Sequence, residues 1–249
     1  MVSSLSFRSS FRGARLLGLA AFAAFPTLLL VALASAGTSP STLESAAEQL
    51  LEALTLPVVV MVIVLVIAVA QFRNEIDAET LVYLSDRSVR RATLVVGKFT
   101  GAWAASLVLA IPAALLPFVV VEAAGGGPAN DTVVPVLVGA ILLATAAYVA
   151  FFLFLGLVSR SALIIGLLFG FLWEELLLLL PGDAPRLTLA FYTRSFLSGE
   201  VTSGPLSKYP GAIPAPVAIA GLIGVVVAFL VMASVAFSHL ETAPERGAS

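Results

Sequence analysis

Cysteine is absent from the 249-residue chain, and histidine occurs once, at His239. The first absence excludes disulfides, thiol catalysis and thiolate metal sites together. The second leaves too few ligands for a zinc site of the usual kind. Charge is scarce as well: Asp, Glu, Lys and Arg make up 11% of the residues, and the net charge is −2. A soluble domain of this length needs far more charge to cover its surface. A chain without a basic excess also offers nothing to nucleic acid. What replaces charge is apolar, with 60% hydrophobic residues and a mean hydropathy of +1.08.

Crossing the hydrocarbon of a bilayer takes roughly 20 mostly apolar residues in a helix. Six stretches qualify, at about 14–36, 56–72, 100–121, 133–158, 162–180 and 216–237. They imply an all-α, polytopic membrane protein built as a single transmembrane domain in a lipid bilayer. Pro26, Pro112 and Pro117 lie inside these runs, where a transmembrane helix tolerates them through kinks and neighbouring contacts. Glu174 and Glu175 interrupt the fifth run, yet ending it before them leaves too few residues to cross. They are therefore kept inside it.

Lysine and arginine set orientation, because cytoplasmic segments carry the excess. With the N-terminus inside, ten fall on the cytoplasmic side (Arg8, Arg12, Arg15, Arg73, Arg87, Arg90, Arg91, Lys98, Arg160 and Arg246) and three outside (Arg186, Arg194 and Lys208). Both termini are expected in the cytoplasm of a multi-pass cell-membrane protein. A competing reading takes the first run, which ends in Ala34-Ser35-Ala36, as a cleaved signal peptide, although it is long for one.

The segments between spans differ in character. In 41–54, Leu43, Leu50, Leu51 and Leu54 alternate with Glu44, Glu48 and Glu52, which reads as a short amphipathic helix at the outer surface. Asn130-Asp131-Thr132 fits a glycosylation sequon, but the pattern is short and chance explains it more economically. The outer loop 181–215 carries a short helix at about 186–197, followed by Gly/Pro-rich coil. No repeat recurs at a fixed period.

The cytoplasmic segment 73–98 holds most of the information. Residues 73–91 contain eight charges in 19 residues, acids first (Glu75, Asp77, Glu79) and bases later (Arg87, Arg90, Arg91). Ala78, Leu81 and Val82 form one apolar helical face. Ser85-Asp86 breaks the helix, and Ser88 caps the next. Such a surface suits docking to a soluble protein; a solvated loop that merely obeys the charge bias explains it equally well.

Glu79-Thr80-Leu81, Leu84-Ser85, Arg87, Val89, Arg91 and Gly97-Lys98 resemble the cytoplasmic segment of type-2 ABC transporter permeases. Ser88 and Arg90 depart from that pattern, standing where proline and often serine are usual. Trp173-Glu174, Pro181 and Tyr192 add a second likeness, and six spans with both ends inside agree with it. The resemblance implies a half-transporter, with an exporter's direction. It would pair with a second permease subunit, the same or related, and bind two separate ATPase subunits that carry ATP and magnesium. It also implies that Glu75, Asp77, Glu79, Thr80, Leu81, Arg87 and Arg91 lie at or near the ATPase contact, on a coupling helix.

No cofactor or metal is expected on this chain itself. Its nearest approach to a P-loop, around Gly97-Lys98, has Ala92 in place of the earlier glycine and Phe99 in place of the hydroxyl residue, so phosphate cannot be cradled. Intramembrane proteases also place paired glutamates in a span, but they need further histidines, and His239 stands alone. No Gly-x-Ser-x-Gly elbow is present for a serine nucleophile. A catalytic role is therefore not expected. The remaining alternative is a secondary transporter or membrane scaffold, for which only Glu174 and Glu175 speak. Each would be a polar group on a translocation path or a hydrogen-bonded anchor between helices; the anchor is favoured.

Overall fold

A computed structural model describes residues 14–77, 91–127, 133–180, 182–201 and 209–241. These residues form an all-α bundle in which six helices are long and apolar enough to cross a membrane. We label the elements α1 (Ala14–Ser35), α2 (Pro40–Leu50), α3 (Met61–Asp77), α4 (Arg91–Ala123), α5 (Val133–Val158), α6 (Ala162–Leu168), α7 (Glu175–Leu179), α8 (Leu189–Glu200) and α9 (Ala215–Glu241). Span two runs from α2 through a π-helical stretch, Leu51–Val60, into α3. Span five joins α6 to α7 through a second π-helical stretch, Phe169–Glu174. Spans one, three, four and six are α1, α4, α5 and α9.

Two differences from the sequence reading have local causes. The amphipathic helix is not separate from span two, because the helix continues unbroken from Pro40 to Asp77. Pro57, which removes a backbone donor, sits within the π-helical stretch, where the wider turn absorbs it. Thr55 Oγ1 satisfies the Leu50 carbonyl at 3.1 Å. The helix in the loop after span five is displaced to Leu189–Glu200. Pro185 instead sits in a 3₁₀ turn, Ala184–Leu187, and Thr188 caps the helix by accepting the Phe191 amide at 3.1 Å.

Span four is the axis of the bundle, packed by spans two, three, five and six and by α8. Its alanines (Ala140, Ala144, Ala147, Ala150) and Gly156 let neighbours approach closely. A Cβ at Gly156 would lie 3.0 Å from Val69 Cα and 3.1 Å from its carbonyl oxygen, so spans two and four approach backbone to backbone there. Gly166 and Gly170, spaced as in GxxxG, lay span five on Leu65 and Met61 of span two. An aromatic cluster completes the interior, with Phe151 centred 5.2 Å from Phe152, 4.4 Å from Phe169 and 5.0 Å from Phe229. The Trp103 indole N–H of span three donates to Thr145 Oγ1 of span four at 3.1 Å.

The two ends of the bundle differ. At one, α2 is held to spans one and three by Leu30, Leu43, Ala47 and Val121, and Glu44 Oε1 accepts the Gly127 amide at 2.8 Å. Together with α8 these elements cover what we call the capped end. The other end carries the tight turn at 159–161 and the edges of the charged segment, so we call it the charged end.

Candidate functional site

Of the two intramembrane carboxylates, only Glu174 is fully built into the structure. It lies 12 residues beyond Ala162, about 18 Å along span five, and is 2% exposed. Its Oε1 accepts the Leu189 amide at 3.0 Å, and its Oε2 accepts the Ala190 amide at 2.9 Å and the Tyr148 hydroxyl at 3.1 Å. The first amides of a helix have no partner within it and carry partial positive charge. Glu174 takes the first two of α8 and Thr188 the third, so the carboxylate acts as a distant cap.

Glu174 thereby fixes how deep α8 reaches. Tyr148 is 10 residues before Val158, about 15 Å into span four from the charged end. The start of α8 therefore sits near mid-bundle. From there the helix climbs antiparallel to spans four and six. Tyr192 lies on Gly221, Phe196 on Gly139, and Gly199 on Ala215. Part of the segment read as an outer loop is a re-entrant helix.

Beside the cap lies a small cavity with about 10 Å³ of room, close to that of one water. Leu56, Pro57 and Ala144 form its apolar wall, and Tyr148, Thr193 and Arg194 its polar one. The Arg194 guanidinium donates to the Glu52 carbonyl at 3.4 Å and lies 5.9 Å from the Tyr209 ring centre. Burial pushes the Tyr209 phenol above its ordinary range, and the nearby Arg194 cation opposes this. Glu175 is half-buried, and its Oε1 has no hydrogen-bond partner among the described residues. The structure brings Glu174 to the cap and leaves Glu175 beside it, as the 100° between successive helical residues requires.

The expected coupling residues fall largely outside the description. Glu75 and Asp77 lie in the last turns of α3, and Arg91 opens α4. Their side chains, and all of Glu79, Thr80, Leu81 and Arg87, are outside the described residues, as is the apolar face of Ala78, Leu81 and Val82. At the foot of this segment the structure adds a contact that the sequence reading used only as a motif match. Lys98 is buried, donates to the Gln71 carbonyl at 2.6 Å, and stands 4.8 Å from the Phe72 ring centre. Phe72 in turn packs on Phe237, 5.8 Å away. Spans two, three and six are therefore tied together at the charged end.

His239 lies in the final turn of α9. Among the described residues, no three of His, Cys, Asp and Glu gather to hold a metal ion. No protein-family model matches the chain, and no curated protein sequence matches it. The six long apolar helices define a multi-pass α-helical membrane protein.

Three features escaped the sequence reading: the pairing of Glu174 with Tyr148 and α8, the close contact at Gly156, and the Gly166/Gly170 seam. The last had a legible signal, since GxxxG in an apolar run marks a helix-packing face. Thr188 ahead of an apolar stretch was a second, as an N-cap.

Proposed function

We propose that the chain is the permease subunit of an ATP-binding cassette exporter of the cell membrane, with both termini cytoplasmic. In this reading ATP and magnesium are held by two copies of a separate ATPase subunit, and a second permease subunit completes the pathway. The observation that carries it is the charge-dense segment between spans two and three, with its acidic-then-basic order and its likeness to a coupling helix. Lys98 supports the same reading. By tying the end of span two to the start of span three, and through Phe72 to span six, it gives a displacement of the segment a stiff route into the bundle. A secondary transporter would draw on a free ionisable group at mid-depth. Glu174, spent on capping α8, lends that alternative little.

The test is partner retention. Glu79→Lys, Arg91→Glu and Leu81→Asp, made separately, should each leave membrane insertion intact and abolish co-purification with the ATPase subunit. Arg246→Glu in the C-terminal tail should change nothing. Retention of the partner by all three segment variants would end the permease assignment.

Orientation follows from the ten-to-three charge bias and is checked separately. Because the chain has no cysteine, single substitutions report sidedness without background. Ser45→Cys, Thr132→Cys and Ser203→Cys should react with an impermeant thiol reagent in intact cells, and Ser85→Cys only after lysis. The reverse pattern would invert the topology.

A further inference from the structure

We propose that α8 is a movable lid over the cavity at Tyr148, Thr193 and Arg194, and that Glu174 is the positioning residue that latches it shut. This inference needs only the bundle and does not depend on an ATPase partner.

Four features of the capped end combine to support it. The directional bonds at the deep end of α8 converge on one carboxylate, Glu174. The other polar ties of the helix to its surroundings are long, Arg194 to the Glu52 carbonyl and the Ile213 amide to Ser195 Oγ at 3.4 Å each, and the rings of Tyr192 and Phe196 lie on Gly221 and Gly139. Aromatic rings on glycine surfaces resist sliding less than interlocked side chains do. Glycines in the left-handed region bracket the segment, Gly182 at φ +86° and Gly211 at φ +76°, and neither is crowded. Finally, Glu174 ends the π-helical stretch of span five. Returning a π turn to α geometry shifts the following residues by one position, a rotation of about 100°. That rotation would carry Glu174 away from α8 and release both amides together.

The lid has a defined consequence. Ala190, Thr193 and Arg194 form one wall of the cavity, so lifting α8 opens it and exposes Thr193, which is 5% exposed with the lid closed. Tyr148 belongs to both parts, since it donates to Glu174 and lines the cavity.

Thr193→Cys, in a chain with no other cysteine, reports the opening through its rate of reaction with a small thiol reagent in reconstituted vesicles. With Glu174 present the reaction should be slow. Glu174→Ala, which removes every acceptor, should accelerate it about tenfold or more, consistent with the loss of three hydrogen bonds. Glu174→Gln should give an intermediate rise, because an amide keeps one acceptor oxygen. Tyr148→Phe should give the smallest, about threefold, through loss of a single hydrogen bond. Ser106→Cys, fully buried in span three, should stay unreactive in every background. Rates for Thr193→Cys that remain within about twofold across all three variants would overturn the latch. A parallel rise at Ser106→Cys would also overturn it, since it would mean general loosening. If Glu174→Ala fails to fold, the Glu174→Gln and Tyr148→Phe backgrounds decide.

Discussion

Replacing Gly156 with valine should lower the stability of the bundle in detergent by about 2–3 kcal/mol, the upper part of the range for small-to-large changes in a packed interior. Even Gly156→Ala should be destabilising, although alanine is the better helix former. The added Cβ would meet the Val69 backbone at 3.0 Å and 3.1 Å, and backbone cannot rotate away as a side chain can. Only separation of spans two and four relieves the contact, and that contact runs along the axis of the fold. Gly170→Ala is the matched comparison. Its Cβ would come closer still to a neighbour, but that neighbour is the end of the Met61 side chain, which has rotamers to spare. The expected cost there is under about 1 kcal/mol. Reversible unfolding of the purified protein measures both variants; equal losses at the two positions would show that the Gly156 contact is not backbone-limited.

Phe152→Ala should be the most damaging truncation of a single apolar side chain, at about 2–4 kcal/mol. We set this a little below the usual range for losing a phenylalanine in a water-soluble core, because lipid is itself apolar and the cost reduces to lost packing and a cavity. Phe152 is fully buried and packs among Tyr148, Phe151 and Phe169, with ring centres 5.9, 5.2 and 6.3 Å away. It therefore supports span five at Phe169 and the Glu174 cap through Tyr148. Phe152→Leu should recover more than half of the loss by refilling most of the volume. Truncation of Leu179, which is 82% exposed, should leave the unfolding transition where it is.

The spans were legible because membrane insertion is read by local hydropathy, and six apolar runs of sufficient length need no tertiary information. The charge pattern of 73–91 was legible for the same reason, since it is contiguous. Long-range pairing was not. Glu174 and Leu189 are separated by a reversal of the chain, and nothing in either residue's neighbourhood says that one caps the other. The favoured anchor role for Glu174 came from a cost argument, and the structure supplies the partners. The continuity of α2 with span two was hidden by the polar alternation around Glu44 and Glu48, which hydropathy reads as an interface, while the backbone has no reason to break before Pro57. Gly156 is one glycine among 19, and its importance depends on which backbone faces it.

The insertion of α8 to mid-depth also bears on the order in which the chain assembles. Twelve residues that include Arg194 and end at Glu200 are too short and too polar to partition into lipid as an independent segment. Its first amides have acceptors at mid-bundle only where Glu174 has already been placed by span five. Docking of α8 therefore follows the placement of span five. Until it happens, Gly139 of span four and Gly221 of span six lack the rings that cover them in the finished fold, and the polar wall that Thr193 and Arg194 give the cavity is missing.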